Sequence, residues 1–261
     1  MSSRMKVYSW NVLFANRQFD RALAHLARLD FDIFTFQEVP EHVLPRLGTL
    51  GCEVAHAVEL VRHLGRGQDE RLYSVILSRH PIRASARLRF PAFPWPMRTR
   101  AFVELMRPFG WSTSSDRGAV YADIEIGNGF VRVFSIHLSL SAPFKRVKEF
   151  SVVAESFPEG HPVVICGDLN VIEDPFLKPL NWVLGSPLAE ALPWHDERGP
   201  FERRFESLGL LNPLLGRVTH PFSRSQLDHI LVSEPLSVTA AGVEEERFGS
   251  DHRLIWAEIT A

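Results

Sequence analysis

An unbroken apolar run that ends in polar residues is the clearest pattern in the chain. Residues 163–166 read Val-Val-Ile-Cys and are followed by Gly167, Asp168, Leu169 and Asn170. Such a run predicts a strand buried on both faces, which the backbone leaves at the glycine. Asp168 and Asn170 then lie at the strand end, where they can bind a hard cation or a phosphate oxygen. An ordinary turn is the alternative, because Asp and Asn also bond their own backbone.

Alternating apolar and polar residues predict further strands along the chain. These strands cover 5–12, 31–39, 71–77, 82–90, 117–126, 130–137, 226–232, 236–243 and 254–259. Residues 127–129 (Gly-Asn-Gly) are a strong hairpin signal between two of them. Apolar stripes at helical spacing predict helices over 18–29, 143–157, 175–184 and 201–208. In the helix over 143–157, Lys145, Arg146 and Lys148 lie off the stripe, so we expect a solvated face there.

Residues 91–116 break this alternation. The segment 90–96 is rich in proline and aromatic residues, and 110–115 is typical of a loop. We expect an irregular excursion with one strand over 101–106. Its aromatic tip, Phe93 and Trp95, can contact substrate or pack onto the loop's own side chains.

Length and composition indicate a globular protein with a substantial core. The 261 residues are 45% hydrophobic and 23% charged, and we find no repeat or linker, so we expect one domain over 1–261. The net charge of −2 disfavours nucleic-acid binding by bulk electrostatics, although local contacts to phosphate are still possible. Cys52 and the strand residue Cys166 are expected to be unpaired, as in a reducing compartment. Without an apolar leader or membrane-length run, a cytoplasmic location is expected.

Polar residues recur at the ends of the predicted strands. They are Asn11, Glu38, His137, Asp168 with Asn170, Asp228, and Asp251 with His252. In a layered α/β fold, strand ends on one side line one cleft. Carboxylates with an amide predict a Mg²⁺ or Mn²⁺ site, whereas zinc would need more histidine or cysteine ligands. Because neighbouring residues on a strand point apart, we expect Asp228 and not Asp251 to orient His252 as a base.

Five short segments resemble one known family. Tyr-Ser-Trp-Asn, Phe-Gln-Glu-Val, Gly-Asp-Leu-Asn, Leu-Asp-His-Ile and Ser-Asp-His-Arg begin at residues 8, 36, 167, 227 and 250. Their order resembles that of the endonuclease/exonuclease/phosphatase superfamily, with DNase I-like and sphingomyelinase-like members the most similar. Each tetrapeptide is weak evidence, but five in order over residues 6–260 are specific. The resemblance implies a four-layered α/β sandwich, with two mixed β-sheets packed face to face and helices outside.

The resemblance also implies roles for the matching residues. Metal ligands would be Glu38, Asn11 and Asp251. The catalytic residues would be His252 as general base, Asp228 as its orienting group, Asp168 and Asn170 for water and phosphate, and His137 for phosphate and leaving group. Glu70 is a possible partner of His137, and Arg117 and Tyr121 either reach substrate or serve only as hairpin residues.

A Mg²⁺- or Mn²⁺-dependent phosphodiesterase is therefore expected, with a phosphoester substrate and nucleic acid as the first choice. A phospholipid or sphingomyelin-type phosphodiesterase and a small-phosphoester phosphatase are alternatives, followed by a non-catalytic binding module. Residues 137–139 depart from abasic-site endonucleases, and residues 171–174 depart from inositol polyphosphate phosphatases. The sequence predicts no protein partner and leaves the oligomeric state open.

Overall fold

The computed structural model describes residues 4–65, 67–140 and 142–260. Within these ranges the strands are β1 Arg4–Asn11, β2 Ile33–Pro40, β3 Glu53–Gly65, β4 Gln68–Ser78, β5 Ile82–Arg89, β6 Thr113–Ser115, β7 Gly118–Ile126, β8 Gly129–His137, β9 Val163–Asp168, β10 Leu210–Leu211, β11 Asp228–Ser233, β12 Ser237–Val243 and β13 Ile255–Thr260. The helices are α1 Phe19–Leu26, α2 Leu44–Leu47, α3 Met97–Met106, α4 Pro143–Ala154, α5 Pro179–Val183 and α6 Arg198–Ser207. Short 3₁₀ turns cover Glu41–Val43, Gly48–Leu50, Arg107–Phe109 and Leu188–Ala191.

Both sheets are mixed. The first has the order β12-β13-β1-β2-β4-β3-β6, and the second has the order β10-β11-β9-β8-β7-β5. β1 pairs in parallel with β2, and β8 pairs in parallel with β9. The hairpin predicted around residues 127–129 is present, because β7 and β8 pair through Ile126 and Gly129.

The fold has four layers, and an apolar cluster fills the space between each pair of neighbouring layers. The central cluster lies between the sheets and combines Met5, Val7 and Ile33 of the first with Val133 and Val164 of the second. A second cluster packs α1 and α2 onto the outer face of the first sheet. A third packs α4 and α6 onto the outer face of the second sheet. The predicted four-layered sandwich is therefore confirmed.

The inner face of several strands changes from apolar to polar toward one end of the sandwich. Side chains alternate along a strand, so every second residue faces the other sheet. The inner row of β1 reads Met5, Val7, Ser9, Asn11; that of β8 reads Val131, Val133, Ser135, His137; that of β9 reads Val164, Cys166, Asp168. Gln37 of β2 donates to Ser135 Oγ across the sheets at 3.0 Å. This polar end of the space between the sheets is where a site can form.

The structure corrects the prediction for residues 91–116. Residues 97–106 form helix α3 rather than the strand expected over 101–106. A short apolar run does not distinguish helix from strand, and contacts with distant residues decide this one. Arg98 and Thr99 of α3 donate to the carbonyl oxygens of Trp182, Val183 and Ser186.

The predicted solvated face of α4 is also wrong in part. Lys148 is exposed, but Lys145 and Arg146 are buried. Arg146 is 0% exposed because Glu197 accepts hydrogen bonds from its Nε and Nη2, at 2.5 and 2.7 Å. Burial of a charge is tolerated where a partner of opposite charge is buried with it.

Two further findings concern cysteines and membranes. Cys52 and Cys166 are both free, as predicted. Among the residues described, no helix has the length and apolar character needed to cross a membrane.

Candidate active site

The candidate site lies where the polar ends of the inner strand rows meet. His137, Asp168 and Asp228 are register partners on the neighbouring strands β8, β9 and β11. The first sheet supplies Asn11 and Glu38 from the ends of β1 and β2. Glu38, His137 and Asp168 border a cleft of about 610 Å³. The buried Asn11 and Asp228 contact its lining residues Glu38 and His252. Its lining includes Glu38, His137, Asp168, Asn170, His220, Asp251 and His252.

A β-bulge turns Glu38 toward this cleft. The pairing of β2 with β4 shifts register between Phe36 and Val39, and Glu38 has a positive φ of 58°. A bulge re-aims a side chain that regular pleating would point elsewhere. Asn11 Nδ2 donates to Glu38 Oε1 at 3.1 Å, and the backbone N–H of Phe14 donates to Glu38 Oε2 at 3.2 Å.

His252 and Asp228 form a buried pair. The Nδ1 of His252 lies 2.9 Å from Asp228 Oδ2, which leaves Nε2 for the cleft. Ser250 Oγ accepts from the backbone N–H of His252 and donates to the carbonyl of Asn11, tying this loop to β1. Burial lowers the pKa of His252, but the charges of Asp228 and Asp168 outweigh that effect and raise it to about 10.

A second imidazole is paired in the same way. His137 Nδ1 lies 2.6 Å from Glu59 Oε1, and Ser74 Oγ and the backbone N–H of Glu38 donate to Glu59 Oε2. Burial opposes charge on both groups, but their mutual attraction raises the pKa of His137 to about 9 and lowers that of Glu59. The pairing with Glu59 favours the protonated form of His137, whose ring lines the cleft.

Glu59 replaces Glu70 as the partner of His137. Glu70 instead forms an ion pair with Arg62, at 2.6 Å between Nη1 and Oε2. The sequence reasoning missed Glu59 because the strand Glu53–Gly65 itself was not predicted. A carboxylate between Val58 and Leu60 was the available signal, since a charge in an apolar strand needs a partner.

Asp168 lies at the centre of the candidate site, between Asn11, His137 and His252. Its Oδ2 is 3.2 Å from Asn11 Nδ2, 3.6 Å from His252 Nε2 and 3.7 Å from His137 Nε2. Its Oδ1 accepts the backbone N–H of Asn170 at 2.8 Å. Asn170, at a positive φ of 54°, directs its Nδ2 to the carbonyl of Leu138.

Gly167 is required immediately before Asp168. It has a φ of 135°, and a Cβ atom there would lie 1.9 Å from the carbonyl oxygen of Ile136 on β8. Only glycine fits so close a backbone approach. The glycine thus permits the packing that sets Asp168 beside His137.

Asp251 and His220 form the outer rim. Asp251 Oδ1 lies 3.9 Å from His252 Nε2, and Asp251 Oδ2 lies 3.6 Å from His220 Nε2. Burial would raise the pKa of Asp251, but interaction with His220 and His252 lowers it. The sequence reasoning did not find His220, which lies outside the motifs and at the end of no predicted strand.

Arg117 lines the cleft, whereas Tyr121 does not. Arg117 Nη2 donates to the carbonyl of His137 at 2.7 Å, and its Nε approaches Glu149 Oε1 at 3.3 Å. The ring of Tyr121 lies under the guanidinium of Arg132 and packs against Phe134. The expectation that Tyr121 reaches substrate is therefore replaced by a packing role.

Several oxygen atoms in the site are suited to a cation. Two groups bring their ligand atoms within 4.8 Å of one another: Asp168, Asp228 and His252, and His220, Asp251 and His252. Asp228 Oδ1 and Asp251 Oδ1 are buried and have no hydrogen-bond partner among the residues that the structure describes. Burial and repulsion from Glu59 raise the pKa of Glu38, against the opposing charge of His137. The site therefore concentrates carboxylates whose charge is not fully compensated by protein groups.

Comparison with known proteins gives one family match. The model of the Endonuclease/Exonuclease/phosphatase family matches residues 8–252. No curated protein matches the chain.

Solved structures share the fold at low sequence identity. An endonuclease/exonuclease/phosphatase from Beutenbergia cavernae is 15% identical, with a TM-score of 0.66, over 98% of this chain and 71% of that one. TDP2 of D. rerio, complexed with single strand DNA product, is 15% identical, with a TM-score of 0.64, over 99% of this chain and 100% of that one. ANGEL2, a 2′,3′-cyclic phosphatase, is 16% identical, with a TM-score of 0.62, over 99% of this chain and 96% of that one.

Proposed function

Because this chain belongs to the endonuclease/exonuclease/phosphatase family, we propose that it is a divalent-metal-dependent phosphodiesterase. Members of the family are hydrolases that act on phosphoester bonds. The observation that carries the proposal is the convergence of two carboxylate-bound imidazoles on Asp168. Both Nε2 atoms lie within 3.7 Å of one oxygen of that carboxylate.

The proposed chemistry is direct attack of water on a phosphoester. His252, oriented by Asp228, takes a proton from the water through Nε2. Asp168 lies within reach of the same proton and orients the water. His137, paired with Glu59 through Nδ1, contacts a phosphate oxygen and stabilises the charge that develops on it. As the P–O ester bond breaks, Nε2 of His137 donates a proton to the leaving oxygen. Asn170 helps to position the phosphate.

The donor set fits a hard divalent cation. Glu38 and Asp251 provide carboxylate oxygens, which Mg²⁺ and Mn²⁺ prefer. Asn11 would contribute Oδ1, which accepts the backbone N–H of Leu13 in this structure. The unpartnered Asp251 Oδ1 and the raised pKa of Glu38 are both features that a nearby cation would relieve. A bound Mg²⁺ or Mn²⁺ would polarise the phosphoryl group, and its charge would oppose the carboxylate field that holds the proton on His252.

Nucleic acid is the proposed substrate. Two observations support it: D. rerio TDP2, a fold relative, is complexed with single strand DNA product, and Arg117 and His137 offer local positive charge in the cleft. The net charge of −2 favours a strand or strand end over a long duplex, because duplex binding depends on neutralising many phosphates. A phospholipid-type phosphodiesterase is the second candidate, since Leu60, Leu72 and Leu180 also line the cleft.

A hydrolysis panel tests the proposal. The purified protein is incubated with single-stranded DNA, supercoiled DNA, RNA and sphingomyelin vesicles, each with Mg²⁺ or with EDTA. The proposal predicts Mg²⁺-dependent cleavage of single-stranded nucleic acid, faster than that of supercoiled DNA. Turnover of sphingomyelin alone would instead support a phospholipid-type phosphodiesterase. Cleavage that persists unchanged in EDTA would contradict the metal dependence.

A further inference from the structure

A second cavity opens beside the catalytic cleft. Its volume is about 360 Å³. It shares a wall with the cleft, because Trp111, Ser112, Ser114, Arg117 and Leu140 line both spaces. The two spaces therefore adjoin at Arg117, which donates to the carbonyl of His137. The segment 90–116, which none of the proposed catalytic residues occupies, supplies most of the lining.

The cavity combines aromatic rings with cations. Phe93 and Trp95 line it, and the ammonium of Lys145 lies 5.5 and 5.1 Å from their ring centroids. An ammonium at this range attracts the ring and fixes its position. The edge of Phe144 packs against Phe93 at 5.8 Å. These rings are therefore held in place before any ligand arrives.

Trp111 lines both spaces, and contacts from β3 on one side and α3 on the other hold the segment that carries it. Arg62 donates from Nε to Ser112 Oγ at 3.1 Å and from Nη2 to the carbonyl of Gly110 at 3.0 Å. Strand β6 pairs with β3, and Trp95 Nε1 donates to the carbonyl of Ser114. On its other side, Trp111 meets Phe102 of α3 edge to face at 5.2 Å.

The polar lining argues against a purely apolar occupant. Arg89, Arg117 and the buried Lys145 face the cavity together with Asp116 and Ser139. An acyl chain placed against these groups would remove them from water without offering hydrogen bonds. A flat heteroaromatic group with polar edges can stack on the rings and still bond to these groups.

We propose that this aromatic pocket holds one unstacked base of the nucleic-acid substrate while the adjoining phosphate lies at His137 and His252. Trp111 is the stacking platform, and Arg117 lies between base and phosphate. The inference rests on the proposed function and deepens it, because it makes the substrate a single strand or strand end. Aromatic side chains recognise bases by stacking when the bases are not paired in a duplex.

Three diesters with the same leaving group test the pocket. They are the p-nitrophenyl esters of thymidine 5′-phosphate, of methyl phosphate and of octyl phosphate. The chemistry is identical, so differences in kcat/KM report what the second substituent contributes. We expect the thymidine ester to exceed the methyl ester by about ten-fold or more, the range of one stacked base.

Variants of Trp111 then test whether the advantage of the thymidine ester over the methyl ester arises at this ring. Trp111→Ala should lower kcat/KM for the thymidine ester about ten-fold more than for the methyl ester, and Trp111→Phe should restore most of the difference. Trp194→Ala is the control, because Trp194 is 77% exposed and lines neither space. A misfolded variant would lose both esters equally, so the ratio separates stacking from folding.

Each outcome decides between defined alternatives. If kcat/KM for the octyl ester equals that for the thymidine ester, or if Trp111→Ala retains the thymidine advantage, the base pocket is overturned and the proposed phosphodiesterase activity is not.

If the wild type hydrolyses none of the esters with Mg²⁺, the proposed function fails, and ligand binding then tests the pocket alone. In that case, AMP must bind more tightly than ribose 5-phosphate to the wild type and lose the advantage in Trp111→Ala. Equal binding overturns the pocket as well.

Discussion

Two imidazoles of the candidate site, those of His252 and His137, each have one nitrogen committed to a buried carboxylate. His252 uses Asp228, and His137 uses Glu59. Fixing Nδ1 in this way sets the orientation of the ring and directs Nε2 to the cleft. Both carboxylates are 0% exposed, so these contacts are not weakened by solvent. The two pairs are therefore suited to hold a proton and an oxyanion at fixed positions.

Glu59→Gln and Glu70→Gln distinguish the observed partner of His137 from the expected one. Glu59→Gln removes the charge that keeps His137 protonated, and we expect kcat to fall about 10- to 100-fold. Glu70→Gln should change kcat less than about three-fold, because Glu70 pairs with Arg62. Steady-state hydrolysis of a chromogenic phosphodiester measures both. Equal losses in the two variants would contradict the role given to Glu59.

Most residues of the site could be predicted from short motifs, and two could not. Asp168, Asp228 and His252 lie in segments whose order resembles the family. Glu59 was missed because the alternation in β3 is weak, with charged residues on both faces. His220 belongs to a loop and lies beside His252 only after the chain folds, at 4.8 Å between ring centroids.

At the scale of single elements, α4 is held by an ion pair that no local pattern reveals. Its apolar stripe suggested that Arg146 faces water, but Glu197 lies 51 residues farther along the chain and buries it. Arg146 also donates from Nη1 to the carbonyls of Ser139 and Leu140, and Leu140 lines the cleft. Helix α4 thus connects the outer layer to the site. Long-range partners of this kind are invisible to a periodicity argument.

Arg146→Ala should destabilise the protein by about 3–5 kcal/mol, because it leaves the Glu197 carboxylate buried without its counter-charge. Urea unfolding followed by circular dichroism measures the change. Lys148→Ala on the exposed side of the same helix is the matched control, and we expect a change within about 0.5 kcal/mol. The double variant Arg146→Met/Glu197→Leu should recover much of the loss. Unfolding of Arg146→Ala at the wild-type midpoint would be inconsistent with a paired buried charge.

The remaining differences between predicted and observed elements have a common cause. The strand predicted over 101–106 lies within helix α3, whose Arg98 donates to carbonyls of residues 182 and 186. In contrast, the hairpin of β7 and β8 needs only its own Gly-Asn-Gly turn, and the sequence predicted it with nearly correct bounds. Elements defined by local chemistry were therefore predictable, and those defined by distant partners were not.

At the scale of the whole molecule, the sandwich brings together residues far apart in sequence. Asn11 and Ser250 are hydrogen-bonded although 239 residues separate them. The four-layered architecture could be predicted because the order of motifs covers nearly the whole chain. Organisation as one domain and a cytoplasmic location stay predictions.

A cation that binds the folded site should stabilise the whole protein. At a Mg²⁺ concentration about 100 times Kd, linkage gives about 2.7 kcal/mol, which corresponds to a rise in Tm of about 5–10 °C. Differential scanning calorimetry with Mg²⁺ and with EDTA measures it without any substrate. Glu38→Gln should lose most of the rise, whereas His42→Ala, at an exposed position, should keep it. A Tm that does not respond to Mg²⁺ or Mn²⁺ would argue against a metal site.

We propose His252 as the base of a metal-dependent phosphodiesterase. The most direct test is the turnover of a chromogenic phosphodiester by wild type and His252→Ala at saturating Mg²⁺, with His42→Ala as the control. We expect His252→Ala to lower kcat by about 10²- to 10⁴-fold, while its circular dichroism spectrum and unfolding midpoint stay close to those of the wild type. His42→Ala should retain wild-type turnover. A folded His252→Ala variant with wild-type kcat would contradict the mechanism.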